Sequence, residues 1–115
     1  MAALATKKSV ARGTRQKLTD APITTAGGAG TIDFDVPGST GADWSMFFQA
    51  VGTVTSLSAD LQISLDGGVT FNTFSAAFLV AATPFKEIAS MIAGALFRIN
   101  VTAAPTSADI WVCRN

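Results

Sequence analysis

The sequence contains no histidine and no tyrosine, and its only cysteine is Cys113. Histidine is the side chain that most often serves as general base, proton shuttle or zinc ligand near neutral pH. Its absence excludes serine or cysteine nucleophiles activated by an imidazole, and one cysteine without histidine excludes the usual zinc sites. A lone cysteine also rules out an intrachain disulfide, the device on which small secreted domains lean. Charge is scarce as well: charged residues make up 14% of the chain and hydrophobic ones 49%. An ordinary soluble domain carries roughly 25% charged residues, and a free monomer usually needs that charged surface. Much of this chain's surface is therefore expected to be covered by other protein. No apolar run approaches the roughly 20 residues of a membrane-spanning helix. Met1 to Leu18 carries charges throughout and lacks the apolar stretch of a signal peptide. The expectation is a chain made in the cytoplasm, with no membrane partner.

What charge there is falls unevenly. Residues 1–17 hold Lys7, Lys8, Arg12, Arg15 and Lys17 and no acid; residues 18–115 hold three cations against eight acids. A net charge of zero thus conceals a basic N-terminal segment on an acidic body. Residues 1–20 show neither helical nor strand periodicity and are rich in Ala, Thr, Lys and Arg. They read as an extended arm, ordered only by contact with another protein. Residues 21–115 read as one folded domain, long enough for one core and too short for two.

That domain reads as all-β. Ala59 to Phe74 alternates at first, with Leu61, Ile63 and Leu65 on one side and Gln62, Ser64 and Asp66 on the other. Asp66-Gly67-Gly68 then signals a tight turn, and a second strand follows from Val69, with room to continue through Val80. Ile23 to Ala26 reads as a short first strand, and Gly27 to Gly30 as a turn rather than a dinucleotide fingerprint, because no helical run follows it. Thr31 to Val36 alternates with Ile32, Phe34 and Val36 inward. Trp44 to Val51 is apolar on both faces, with Trp44, Met46, Phe48 and Ala50 on one and Phe47 and Val51 beside Ser45 and Gln49 on the other. A strand of that kind is central, or its second face meets a partner. Phe85 to Met91 fits a strand or a helical turn, and the strand reading is preferred. Ala95 to Thr102 and Ala108 to Arg114 alternate again, with Ile110 and Val112 opposite Asp109, Trp111 and Cys113. About seven or eight strands with regular turn signals predict an antiparallel β-sandwich, jelly-roll-like or Ig-like.

Few residues carry chemistry. Asp33 and Asp35 share a strand face, but paired carboxylates at work need a cleft that a domain of this size rarely has. A solvated outer face is the simpler reading, with calcium an intermediate one in which the aspartates lack EF-hand spacing. No catalytic residue, metal ligand or cofactor is expected. The basic arm fits docking onto an acidic protein better than nucleic acid, since it has no aromatics to stack on bases. Trp44, Phe47 and Trp111 are candidate anchors for a protein interface, or a platform for stacking on sugars.

The hairpin Ser64-Leu65-Asp66-Gly67-Gly68 followed by Phe71 and Phe74, with the closing strands Phe97 to Thr102 and Asp109 to Val112, resembles small all-β structural proteins of tailed bacteriophage virions. The resemblance spans roughly residues 44–114, with Pro105 and small residues where a Gly-rich turn often stands. It implies a virion location and a non-enzymatic structural role, most simply a capsid cement or decoration protein. The alternatives within that class are head–tail or tail subunits. It further implies a homo-oligomer, with a trimer as the analogy, bound to a major capsid or other virion protein that the arm would clamp. The competing expectation is a carbohydrate-binding or adhesion module using an exposed Trp.

Overall fold

The alternating segments form strands because each can present one apolar side to a common core. The computed structural model describes residues 2–11, 13, 15–37, 44–91 and 94–114, without the side chains of Trp44, Ser90 and Met91. Among the described residues ten strands follow in order: β1 (Lys8–Ser9), β2 (Arg15–Lys17), β3 (Ile23–Thr24), β4 (Gly30–Asp35), β5 (Trp44–Thr53), β6 (Ser58–Ser64), β7 (Asn72–Val80), β8 (Phe85–Met91), β9 (Leu96–Ala103) and β10 (Ser107–Arg114). Among the described residues there is no helix. The first sheet runs β1-β4-β9-β6-β7. The second runs β2-β10-β5-β8, with β3 pairing β10 beyond the end of β2. All strand pairings are antiparallel except β1 with β4.

The two sheets meet in one core, in a β-sandwich-like arrangement. Ile32, Phe34, Leu61, Phe97, Ile99 and Val101 come from the first sheet; Met46, Phe48, Ile110 and Val112 come from the second. Four aromatic rings tie the layers together. Phe34 stacks on Phe97 at 5.5 Å and tilts against Phe48 at 6.0 Å, and Phe48 meets Phe78 edge-on at 5.1 Å. The radius of gyration, 13.1 Å, is that of a single compact unit of this length.

The N-terminal segment, expected as an extended arm ordered by contact with another protein, makes contacts with its own body in this structure. Leu4 N–H donates to the Thr31 carbonyl, Lys8 and Ser9 pair with β4, and Val10 N–H donates to the Asp35 carbonyl, all on the first sheet. The chain then crosses to the second sheet, where Arg15 to Lys17 pair with β10 and Leu18 N–H donates to the Ile110 carbonyl. Val10 and Leu18 are fully buried. Burying such a side chain is worth about 1.5–3 kcal/mol, and these two burials add to the backbone bonds that hold the segment against both sheets. The segment thus borders both sheets and is ordered by its own body.

Two smaller departures and one close strand contact matter. The link between β6 and β7 is a loop from Leu65 to Phe71, longer than a tight turn, and β7 starts at Asn72. Leu65, expected inward, is 79% exposed, while Ser64 is buried. Ser64 stands opposite Leu96 on the same side as Gln62, and it is buried by the loop that folds back over it: its hydroxyl donates to Asp66 Oδ1 and accepts from Gly68 N–H. Lastly, Gly52 in β5 has φ of +132°, and a side chain there would run into the Ser107 carbonyl of β10. Only glycine lets these two strands approach so closely at this end of the sheet.

Candidate functional site

Strand register places the outward side chains of the second sheet in rows. Across the strands, one row reads Lys17 on β2, Trp111 on β10, Gln49 on β5 and Phe85 on β8. The next reads Arg15, Cys113, Phe47 and Glu87. Beyond Trp111, Asp109 stands opposite Val51. The face therefore has an aromatic centre, a cationic margin on β2 and an acid on β8.

The centre is open to solvent. Trp111 is 36%, Val51 45% and Phe85 52% exposed, and Phe47 stacks on Phe85 with ring centres 6.0 Å apart. A groove of about 520 Å³ lies between these rings, bordered by Arg15, Gln49 and Cys113. Cys113 is exposed. Asp109 is engaged, since the buried Thr19 donates its hydroxyl to Asp109 Oδ1 at 2.6 Å. Arg15, Lys17 and Glu87 have no ion-pair partner among the described residues.

Two groups of residues expected to act separately thus converge. Arg15 and Lys17, read as part of a reaching arm, stand on the same face as Phe47 and Trp111, read as body anchors. The remaining basic residues go elsewhere. Lys7 approaches Asp35 at 3.6 Å on the first sheet. Lys8 turns back on its own segment, donating to the Leu18 carbonyl and to Asp20 Oδ1 at 2.6 Å. That bond from Lys8, together with the Thr6 N–H, lowers the Asp20 carboxyl to about 2. Arg12 and the Trp44 side chain lie outside the described residues. Phe85, Glu87 and Cys113 join the face without having been singled out. The signal was the strand reading of Phe85 to Met91, which puts Phe85 and Glu87 on one side.

The aspartates are held by protein groups. Asp33 accepts two bonds from the Arg98 guanidinium, at 2.7 and 3.1 Å. Asp66 accepts from Thr70 N–H and the Ser64 hydroxyl, and these bonds, that of Thr70 first, lower its carboxyl to about 2. Asp60 caps the Ala77 N–H at 2.7 Å. Among the described residues no three metal-ligating side chains come together. Asp33 and Asp35 each face a cation rather than a shared opening.

Sulfur, aromatic rings, one amide and flanking charges can bury apolar surface and pair with opposite charge. They fit a binding face. No known protein family, curated protein or solved structure matches the chain.

Proposed function

We propose that this chain is a non-enzymatic structural subunit of a virion, a capsid cement or decoration protein on a jelly-roll-like or Ig-like scaffold. It holds its protein neighbours through the outer face of the second sheet. The observation that carries the reading is that face: exposed Trp111, Phe85 and Val51 around Phe47, on a chain with 14% charged residues. Contiguous apolar surface bounded by polar residues marks protein contact sites. The virion itself enters through the resemblance of the hairpin and closing strands. In this reading the N-terminal segment does not reach over a neighbour; it supplies Arg15 and Lys17 to the contact.

The second reading, a carbohydrate-binding module, draws on the groove beside Trp111, where Gln49 and Arg15 offer hydrogen bonds next to an aromatic plane. Co-sedimentation with purified tailed-phage shells that lack decoration protein, run beside a glycan array, separates the two. The structural reading expects the chain to travel with shells, the Trp111→Lys, Phe85→Lys double variant to stay behind folded, and the array to remain blank. Saccharide binding that quenches Trp fluorescence, with no shell binding, replaces it with the adhesion reading.

A further inference from the structure

The order of charges across the outer face of the second sheet points to its occupant. In the row Arg15, Cys113, Phe47, Glu87 the cation stands on one margin of the sheet and the acid on the other. The adjoining row begins with Lys17 and ends with Phe85. We infer that this face binds a second copy of itself, face to face, about a two-fold axis lying close to the strand direction between β10 and β5. The inference rests on the reading of this face as a protein contact, and not on the virion assignment.

A two-fold axis in the plane of an interface reverses one direction of the face and keeps the other. An axis along the strands reverses each row. Arg15 then lies over Glu87 of the second copy, Cys113 over its Phe47, Lys17 over its Phe85 and Trp111 over its Gln49. Each pair occurs twice. Two ion pairs, two cation–ring contacts, two cysteine–ring contacts and two tryptophan–amide contacts come from one operation. An axis across the strands keeps the row order instead and sets Arg15 over Arg15 and Glu87 over Glu87. Like charges so placed oppose docking, so the charge order selects one of the two orientations. Aligned sheets pack with their strands within about 30° of each other, which a small tilt of the axis supplies. Asp109 is held by Thr19, which leaves Glu87 as the acid available to Arg15.

The size of the face sets the strength. Four strands about 4.8 Å apart, along a β5 of ten residues, give roughly 600 Å² per copy in plan. A standard stable interface buries about 800 Å² per partner. The pair is therefore expected to be weak and concentration-dependent, so that a shell contact on the same face can displace it.

Sedimentation velocity on the full chain, from low micromolar to near-millimolar concentration, tests this, with circular dichroism to confirm the fold of each variant. The wild-type chain is expected to form a reversible dimer. Arg15→Glu and Glu87→Arg are each expected to weaken it about tenfold or more, because each creates like-charge contacts at both ends of the face. Arg15→Glu combined with Glu87→Arg is expected to restore the wild-type dimer, and Trp111→Lys to abolish it. A folded double reversal that stays monomeric overturns the pairing, as does a wild-type chain that is monomeric throughout or that forms a trimer. If such a chain still travels with shells through Trp111, the pairing fails and the contact reading survives. If it also binds no shell, both fail.

Discussion

The outer faces of the two sheets treat their charges in opposite ways. On the first sheet the row Asp33, Arg98, Gln62, Thr73 is polar throughout. Arg98 grips Asp33 through two bonds, and its guanidinium lies 3.8 Å over the Phe71 ring. The large exposed apolar side chains of that sheet are Leu65 and Val69 on the hairpin loop and Phe74 on the edge strand β7, whose ring meets the core ring of Phe97 edge-on at 6.4 Å. On the second sheet the rings lie in the middle and the charges at the margins, with no partner for Arg15, Lys17 or Glu87 among the described residues. A face that satisfies its own charges has little to gain from a neighbour. One that separates cation from acid across an aromatic floor gains from a partner whose charges run the other way.

The comparison assumes that one core supports both faces, and Phe48→Ala breaks that support. Phe48 is fully buried and touches Phe34 and Phe78 of the opposite sheet. Its truncation leaves a cavity between the layers and is expected to cost about 3–5 kcal/mol. Urea unfolding followed by Trp fluorescence and by far-UV circular dichroism should give one coincident transition at a lower midpoint. Two separate transitions would mean that the sheets do not share a core.

Arg98→Ala and Trp111→Lys sharpen the contrast. Removing Arg98 strands a half-buried Asp33 and uncovers Phe71, for an expected loss of about 1–2 kcal/mol with self-association unchanged. Trp111→Lys alters an exposed position, so stability should move by less than about 0.5 kcal/mol while association disappears. The same two measurements, denaturation and sedimentation, read both variants. If Arg98→Ala weakens association and Trp111→Lys weakens stability, the roles assigned to the faces are reversed.

Much of this contrast is legible in the sequence, and the remainder is hidden for a physical reason. Ile32, Phe34 and Val36, and Phe97, Ile99 and Val101, alternate with polar residues because each strand has one side in the core. The two-sided apolar pattern of Trp44 to Val51 marks β5 as the strand whose outer side carries Phe47 and Val51. The N-terminal segment is not legible. Its strands are two and three residues long, and Leu4, Val10 and Leu18 are spaced too irregularly for either period. That Arg15 and Lys17 reach the aromatic face depends on the pairing of β2 with β10, and pairing leaves no trace in periodicity. Arg114 shows parity overriding polarity. It follows Ile110 and Val112 into the interior, where its guanidinium donates to the carbonyls of Val10 and Pro37.

The margin of the first sheet offers a gain rather than a loss. Ala77 of β7 has φ of +49°, a left-handed conformation held by the Asp60 bond to its N–H. Alanine is strained there and glycine is not. Ala77→Gly is expected to raise stability by about 0.5–1 kcal/mol after the entropy cost of glycine, measured as a higher urea midpoint at unchanged slope. A lower midpoint would mean that the alanine methyl packs better than its strain costs.

The smallest effect concerns acid, and it compares the two fastenings of the chain. Asp20 anchors the N-terminal segment through Lys8 and Thr6, and Asp66 folds the hairpin loop through Thr70 and Ser64. Both carboxyls are lowered from 3.8 to about 2 in the folded protein. A group whose folded value is depressed binds fewer protons folded than unfolded, so it stabilises the fold above its unfolded value. That contribution is fully present above about 4 and is lost as pH falls through about 2. Both carboxylates are exposed, so solvent screening keeps each contribution small. Asp20→Asn and Asp66→Asn should each flatten part of the decline in the urea midpoint over this window, and leave the slope at neutral pH unchanged. They should differ in what opens first. Hydrogen exchange at low pH is expected to expose the amides of Leu4 and Val10 in Asp20→Asn, and those of Gly68 and Thr70 in Asp66→Asn. If Asp20→Asn leaves Leu4 and Val10 as protected as before, burial of Val10 and Leu18 holds the segment without the carboxylate. The margin that carries Arg15 and Lys17 is then as rigid as the core beneath it.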